Sequence, residues 1–177
     1  MTPLTLCTTR LRLRPPVPGD APDIVAGLND LEVSRWLTVV PHPYTLDDAL
    51  WFIAECAAGR ETSWAITRAG EDRVLGMIGG QGSFGYWLRR DAWGEGIMTE
   101  AASAVVGHLF DTGAARLLQS EYFLGNARSG ALLQSLGFRE TDQHEVTCRA
   151  TGRVVRSQRM VLSRTRWMNR SPRRQTG

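Results

Sequence analysis

The segment from Phe84 to Asp111 places the strongest constraint on the fold of this chain. An apolar, aromatic run that ends at Leu88 is typical of a buried strand, and a long helix pattern begins shortly after it. Between them lie two glycines one residue apart, Gly94 and Gly96. Such a loop leaves the free N–H groups of a helix N-terminus open to a ligand, and the helix dipole favours negative charge there. The segment therefore predicts a site for a phosphate, such as the pyrophosphate of a nucleotide or coenzyme.

Length and composition indicate one ordinary domain. The chain has 177 residues, of which 42% are hydrophobic and 22% charged, enough for a sizeable core. No apolar run approaches the roughly 18 residues that span a bilayer, and the first residues lack the basic-then-apolar order of a signal peptide. We therefore expect a cytoplasmic location. Cys7, Cys56 and Cys148 are scattered, so neither a metal site nor a disulfide framework is predicted.

Every cationic side chain is an arginine, because the sequence contains no lysine. This excludes a lysine Schiff base and a Walker-type lysine. No basic face with interleaved aromatic residues is present, so direct nucleic-acid binding is not predicted. Four arginines close to the C-terminus are typical of a solvated end, and we expect one domain over residues 1–165 and a basic, disordered tail over 166–177.

The pattern of apolar residues and turn signals predicts the element order β-α-α-β-β-β-α-β-α-β-β. Asp20 is the predicted N-cap of the first helix, and Thr45 with Asp48 forms a capping box before the second. Strands are expected at 10–15, 63–67, 74–78, 84–88, 117–123, 139–149 and 154–162, with a hairpin turn at 79–82 and the later helices at 96–110 and 126–135. The strand–helix–strand passage from Phe84 to Phe123 requires a parallel crossover. The loop lacks the third glycine of a dinucleotide fingerprint, which argues against a nucleotide-binding oxidoreductase.

Three segments in this order resemble one known family. They are GYWLRRDAWGEGIMTEA, the pair N-A-R-S … L-G-F from Asn126 to Phe138, and the terminal strands TLCTTRLRLRP and RMVLSRTRW. Together they resemble the GNAT superfamily of acyl-CoA N-acyltransferases, in particular the ribosomal-protein alanine and serine N-acetyltransferases. The likeness covers nearly the whole chain. It implies an α/β (α+β) fold with a mixed, mostly antiparallel sheet, one parallel splayed strand pair, and helices on both faces.

The resemblance implies acetyl-CoA as co-substrate and assigns its binding residues. The family's pyrophosphate loop falls on Trp93 to Met98, where Trp93 replaces a glutamine or arginine and Met98 stands where alanine or glycine is usual. The pantetheine arm is expected to pair with the main chain of the strand before the loop, as an added strand would. The predicted coenzyme-binding residues are Tyr86, Trp87, Leu88, Trp93, Gly94, Glu95, Gly96, Ile97, Met98, Thr99, Asn126 and Ser129.

The expected reaction is direct attack by an amine, which requires a base, an oxyanion donor and an acid for the thiolate. The resemblance implies Ser129 as the acid, although Asn126 and Ser129 also suit an N-cap and a first helical turn. The branch's catalytic glutamate falls near Cys148, and cysteine is a poor base for an ammonium. His144 and Glu145 are the alternative bases, directly or through water, but both also fit solvent-facing strand positions. An α-amine, with a pKa of about 8, can also arrive partly neutral.

Several other residues allow two interpretations. Glu100 lies in the first turn of the long helix, where the dipole alone explains it. Glu121 faces substrate or forms a surface ion pair. Three tryptophans either line an acceptor groove or belong to the core: Trp36, Trp51 and Trp64.

We therefore expect an N-acetyltransferase that acts on a primary amine, either a protein N-terminus or a small molecule. The alternative is a non-catalytic acyl-CoA-binding or regulatory module, which the cysteine at position 148 favours. The expected partners are acetyl-CoA and the amine acceptor, with no metal, membrane or direct nucleic-acid partner, and the expected state is a monomer or homodimer.

Overall fold

The strands of the computed structural model, which describes residues 4–79 and 83–170, form two antiparallel sheets. The first contains, in spatial order, β1 (Leu6–Cys7), β2 (Leu11–Arg14), β3 (Ser63–Arg68), β4 (Gly76–Gly79) and β5 (Gly85–Leu88). The second is built from β6 (Leu117–Phe123), β7 (Arg139–Cys148) and β8 (Arg153–Ser163), with β8 in the middle. Short polar or glycine-containing turns join β1 to β2 and β7 to β8.

In the described part of the chain, six α-helices cover the sheets: α1 (Ala21–Leu28), α2 (Leu31–Ser34), α3 (Leu46–Ala57), α4 (Ile97–Asp111), α5 (Ala127–Leu136) and α6 (Arg164–Met168). Because successive strand residues point to opposite faces, Ile66 packs with α4, α5 and α6 while its neighbour Ala65 packs with α1 and α3. In β4, Ile78 likewise packs on the side of α4, α5 and α6, and Met77 packs on the side of α1 and α3. The fold class predicted from the sequence, α+β with helices on both faces, is confirmed. None of the helices in residues 4–79 and 83–170 is long and apolar enough to cross a membrane.

The junction between β5 and β6 differs from the expected parallel strand pair. The Phe84 N–H donates to the Gln119 carbonyl at 2.7 Å, and the Ser120 hydroxyl donates to the Phe84 carbonyl at 2.7 Å. Within the described residues no ladder continues beyond this contact, and β5 pairs with β4 alone. The strands therefore meet where β5 begins and leave a cleft between the two sheets.

The helix caps match the sequence prediction at one position and correct it at another. The Thr45 hydroxyl accepts the Asp48 N–H at 3.2 Å, and the Asp48 carboxylate accepts the Thr45 N–H at 2.8 Å, so the predicted capping box forms. Asp20 precedes α1 but makes no side-chain cap. Its buried carboxylate instead accepts two hydrogen bonds from Arg14, at 2.7 and 2.8 Å, and ties β2 to the start of α1.

The predicted disordered tail is wrong at its start. Residues 164–168 form α6, whose first turn the Ser163 hydroxyl caps by accepting the Arg166 N–H at 3.3 Å. Trp167 is only 8% exposed and packs against Phe110, with ring centroids 6.2 Å apart. Burial of this large apolar side chain outweighs the solvation of its basic neighbours. The rest of the predicted tail, 171–177, and most of the predicted 79–82 turn lie outside the described residues.

Candidate active site

The loop before α4 has the geometry that its glycines predict. Gly94 and Gly96 adopt φ of +82° and +74°, a left-handed conformation that side chains disfavour. Gly96 is the N-cap of α4 and provides no side-chain cap, so the N–H groups of 97–99 lack an intrahelical partner. Gly94, Gly96 and the first helical turn line the cleft. This arrangement directs free donors and the positive end of the helix dipole toward the same space.

Arg10 holds this loop from outside the cleft. Its Nη1 donates to the Glu95 carbonyl at 2.9 Å, and its Nε donates to the Glu100 carboxylate at 2.7 Å. Burial by itself raises the pKa of Glu100, but hydrogen bonds from Thr8 and Arg10 outweigh it and lower that pKa below its ordinary value. The Glu95 side chain is fixed separately by Arg68 at 2.8 Å. Glu100 therefore anchors the loop through Arg10, beyond the dipole role that its position predicts.

Trp93 joins three elements around the loop. Its indole N–H donates to the Leu88 carbonyl at 2.8 Å, and the Arg128 guanidinium of α5 lies 4.3 Å above its ring. The Leu88 carbonyl therefore already accepts a hydrogen bond. The part of β5 whose main chain is open to the cleft lies before Leu88. Arg128 is exposed and lines the cleft. Sequence reasoning missed it, although it lies within the segment that resembles N-x-x-S.

Asn126 and Ser129 begin α5 on the far side of the cleft. Asn126 is the N-cap, and its side-chain oxygen accepts the Ser129 N–H at 3.3 Å, so the capping role is real. The Ser129 hydroxyl lies 2.8 Å from the hydroxyl of Tyr86. Burial raises the pKa of Tyr86 to about 12, while the hydrogen bond with Ser129 acts in the opposite direction. The phenol therefore keeps its proton at neutral pH and belongs to a two-hydroxyl pair that the sequence does not reveal.

The buried phenol makes a prediction for an alkaline titration. Two of the 3 tyrosines, Tyr44 and Tyr86, have a pKa raised to about 12, and burial is the largest cause for both. We expect Tyr86→Phe to remove one component near that pH from the tyrosinate absorbance, and Ser129→Ala to move the Tyr86 component higher. The pKa of Tyr86 in the folded protein exceeds the ordinary value of about 10, so burial of the neutral phenol stabilises the folded state fully below pH 10. This contribution is lost as the pH rises toward 12. A Tyr86→Phe curve that superimposes on the wild type in the high-pH region would contradict the burial of this hydroxyl.

A carboxylate–imidazole pair lies on the opposite face of the same cleft. The Nε2 of His144 is 2.8 Å from the Oε2 of Glu121, and the side chains are 21% and 28% exposed. Glu121 belongs to β6 and lines the cleft, whereas His144 lies behind it on β7. β8 separates these strands, and its buried Ser157, opposite His144 in register, is small enough for the two side chains to meet above it. Glu121 thus contacts an imidazole inside the cleft and does not form the surface ion pair that its position also allows.

The other two candidate positions for a base lie elsewhere. Glu145 is exposed, stands opposite Arg156 in register, and is not among the residues that line the cleft. Cys148 is fully buried, with its Sγ 3.5 Å from the Arg35 carbonyl and 3.6 Å from that of Leu37. Cys148 therefore packs the segment after α2 against β7 and presents no group to the cleft.

The cleft has a volume of about 1010 Å³, at the upper end of ordinary ligand sites. One part is formed by the loop, α5 and β5, and another by aromatic residues from the α1–α3 side, including Trp36, Tyr44, Trp51 and Phe52. Trp64 is 1% exposed and belongs to the core. Across the part of the chain that the structure describes, no cluster of three His, Cys, Asp or Glu side chains is suited to hold a metal.

Comparisons with known proteins identify relatives of this chain in sequence and in fold. Residues 10–139 match the family model described as "Acetyltransferase (GNAT) domain". The chain is 26% identical over 162 residues to an uncharacterized N-acetyltransferase, p20, from Bacillus licheniformis, covering 85% of this chain and 91% of that one. It is similar in fold to the ribosomal-protein-S5-alanine acetyltransferase from Vibrio fischeri, with a TM-score of 0.76 at 15% identity, covering 93% of this chain and 99% of that chain. A second structural relative is the microcin C7 self-immunity acetyltransferase MccE in complex with acetyl-CoA and AMP, with a TM-score of 0.73 at 16% identity, covering 88% and 93%. Since the family model spans well over half of the sequence, the chain belongs to the GNAT acetyltransferase family.

Proposed function

We propose that this protein transfers an acetyl group from acetyl-CoA to the nitrogen of a primary amine. The observation that carries the proposal is one cleft that combines the open N-terminus of α4, the edge of β5 and the Tyr86–Ser129 hydroxyl pair. The complex of the structural relative MccE with acetyl-CoA supports the choice of donor.

The coenzyme is expected to follow the cleft from the loop toward the start of β5. Its pyrophosphate would accept hydrogen bonds from the N–H groups of 96–98, and Arg128, which lines the cleft above Trp93, would add positive charge. The pantetheine amides would pair with the β5 edge from Gly85 to Trp87, because the Leu88 carbonyl already accepts from Trp93. The thioester then lies where β5 and β6 meet.

The reaction needs no covalent intermediate on the protein. The amine lone pair attacks the thioester carbonyl carbon, and a main-chain N–H of β5 stabilises the oxyanion. When the C–S bond breaks, the sulfur takes a proton from the Ser129 hydroxyl. The Tyr86 hydroxyl, which lies 2.8 Å from that of Ser129 and is still protonated, can then return a proton to Ser129. The nitrogen of the tetrahedral intermediate loses one proton, which solvent carries back to the Tyr86–Ser129 pair, so the products are an amide and free coenzyme thiol.

The acceptor would approach from the α1–α3 side, where aromatic residues line the cleft. The Vibrio fischeri relative is named for an alanine of ribosomal protein S5. A protein N-terminus and a small amine are both compatible with an open, aromatic entrance.

A thiol-release assay with a panel of amines tests the proposal. Peptides with N-terminal alanine or serine, alkylamines and arylamines are each incubated with acetyl-CoA, and the acetylated product is identified by mass. We expect thiol and acetylated amine to appear in equal amounts for at least one acceptor class. Tight binding of acetyl-CoA with no turnover across the panel would favour the non-catalytic module.

Arg10 offers a separate test of the loop assignment. Arg10→Gln removes the donor to the Glu95 carbonyl and the charge beside Glu100, so the loop loses its external anchor. We expect acetyl-CoA to bind about twofold to fivefold more weakly, with little change in kcat, because a positioning contact on an exposed side chain contributes about 1 kcal/mol or less. Arg12→Gln is the matched control, since Arg12 pairs with the exposed Asp72. Equal effects of the two variants on KM would contradict a role for Arg10 in the loop.

A further inference from the structure

We infer that a second cavity, where the second sheet meets α6, binds a small molecule that carries a phosphate group. The cavity has a volume of about 560 Å³, within the range of ordinary ligand sites. Its wall contains three arginines, Arg139, Arg166 and Arg170. None of the described residues that line it also lines the cleft between the two sheets. The inference is therefore independent of the proposed function.

Two of the three guanidinium groups are held in place by the fold. Arg166 of α6 donates from Nε to the Gly137 carbonyl at 2.6 Å, and its two terminal nitrogens have no partner among the described residues. The Arg170 guanidinium lies over the ring of Trp167. Arg139 begins β7 and is exposed. Because Arg166 and Arg170 are already oriented, an anion would lose less entropy of protein side chains on binding.

The arginines of this cavity lack the counter-ions that arginines have elsewhere in the molecule. Every arginine from Arg10 to Arg90 forms an ion pair with an aspartate or glutamate. Arg139, Arg166 and Arg170 form none with a described residue, and the described part of the wall contains no carboxylate. Burial lowers the pKa of Arg170 below its ordinary value, and no opposite charge offsets this effect. Positive charges around one space repel each other unless an anion lies between them.

The carboxylate next to this cavity along the chain is directed away from it. Glu140 follows Arg139, and its Oε1 accepts a hydrogen bond from the Gln134 side chain of α5 at 3.2 Å. Since successive strand residues point to opposite faces, Arg139 lies on the face away from α5. Two more exposed arginines meet beside the cavity, where the Arg164 N–H donates to the Arg116 carbonyl at 3.0 Å. This end of the molecule is therefore strongly positive.

The groups of the wall suit a phosphate better than a carboxylate. Guanidinium groups bind phosphate oxygens through paired hydrogen bonds, and a phosphate monoester or diphosphate carries more negative charge than a carboxylate. Thr165 and Asn169 add a hydroxyl and an amide, neither of which has a side-chain partner among the described residues. Leu117, which is 51% exposed, and Val161 form an apolar part of the wall, where the organic part of a small ligand would rest.

Calorimetric titration with inorganic pyrophosphate tests the inference. The protein is titrated with and without saturating coenzyme A, because pyrophosphate is also expected to bind at the N-terminus of α4. We expect pyrophosphate to bind while coenzyme A is present, and Arg139→Gln to weaken this binding by about tenfold or more. The Arg139 side chain makes no hydrogen bond or ion pair with a described residue, so the variant should fold normally. Arg139→Lys keeps the charge without the planar fork and should lose less affinity.

Arg153→Gln is the matched control. Arg153 is exposed, forms no ion pair with a described residue, and begins β8, whereas the cavity lies at the end of that strand. At an ionic strength of about 0.1 M, charges more than about 10 Å apart are screened, so pyrophosphate affinity should stay within about twofold of the wild type. Equal losses in Arg139→Gln and Arg153→Gln would show that net charge alone attracts the anion. Complete displacement of pyrophosphate by coenzyme A would assign it to the cleft, and either result overturns the inference.

A short single-stranded oligouridine separates a small ligand from a polynucleotide. If it bound more than about tenfold more tightly than pyrophosphate and lost this advantage in Arg139→Gln, the cavity would recognise a nucleic-acid backbone and the assignment of a small ligand would be wrong. Failure of coenzyme A to bind would overturn the proposed function alone, because the comparison of Arg139→Gln with Arg153→Gln needs no coenzyme.

Discussion

Replacement of Gly96 by glutamate is expected to abolish acetyl-CoA binding. Gly96 is the N-cap of α4 at φ of +74°, within the group of free N–H donors that would receive the pyrophosphate. A carboxylate about 4 Å from a phosphate charge costs roughly 4 kcal/mol near a protein surface, which corresponds to a loss of about a thousandfold in affinity. Isothermal calorimetry with acetyl-CoA measures the change.

Gly96→Ala separates charge from backbone strain. A Cβ at this position meets only the Arg10 guanidinium, at 3.6 Å, so the added methyl group has room. The left-handed conformation still costs the variant about 1 kcal/mol of stability. We expect this control to bind acetyl-CoA nearly as well as the wild type. Wild-type affinity in Gly96→Glu would show that the anion binds elsewhere, while equal losses in both variants would point to strain.

Gly76→Ala is expected to have the largest effect on stability. Gly76 lies in β4 opposite Leu88 of β5, and an added Cβ would lie 2.2 Å from the Trp87 carbonyl oxygen and 3.0 Å from the Leu88 Cα. These are backbone atoms that no rotamer change can move. The two strands must separate, and we expect the free energy of unfolding to fall by about 3 kcal/mol or more.

Gly85→Ala, in the adjacent strand, is the matched control. No atom lies within 4 Å of a Cβ added there, and the residue is exposed. We expect its unfolding free energy to change by less than about 0.5 kcal/mol, since surface changes away from special contacts are usually that small. Urea denaturation of both variants gives the comparison. Similar midpoints for Gly76→Ala and the wild type would mean that β4 and β5 are not packed as closely as described.

Local patterns were sufficient to predict most of the fold. Leu117 to Phe123 alternates and is a strand with the predicted bounds, and Thr45 with Asp48 forms the predicted capping box. The sequence failed where distant packing decides the structure. Trp167 is held by Phe110, far away along the chain, so composition alone indicated a disordered tail. Asp20 meets Arg14 in the core, a tertiary contact that replaces the expected local cap.

The same distinction between local sequence and distant packing applies to the candidate site. The loop from Trp93 to Met98 is continuous in sequence, and its glycines already indicate an anion cradle. The hydroxyl pair of Tyr86 and Ser129 and the pair of Glu121 and His144 join elements that are distant along the chain. Neither pair leaves a spacing signal, because strand order and register bring its members together.

A crystal structure of the protein with acetyl-CoA bound tests the central claim most directly. We predict pyrophosphate oxygens within hydrogen-bond distance, about 3 Å, of the N–H groups of 96–98. The pantetheine should lie along the edge of β5 from Gly85 to Trp87, with the thioester between Ser129 and Glu121. A coenzyme bound outside this cleft, or one whose phosphates do not contact the N-terminus of α4, would contradict the account.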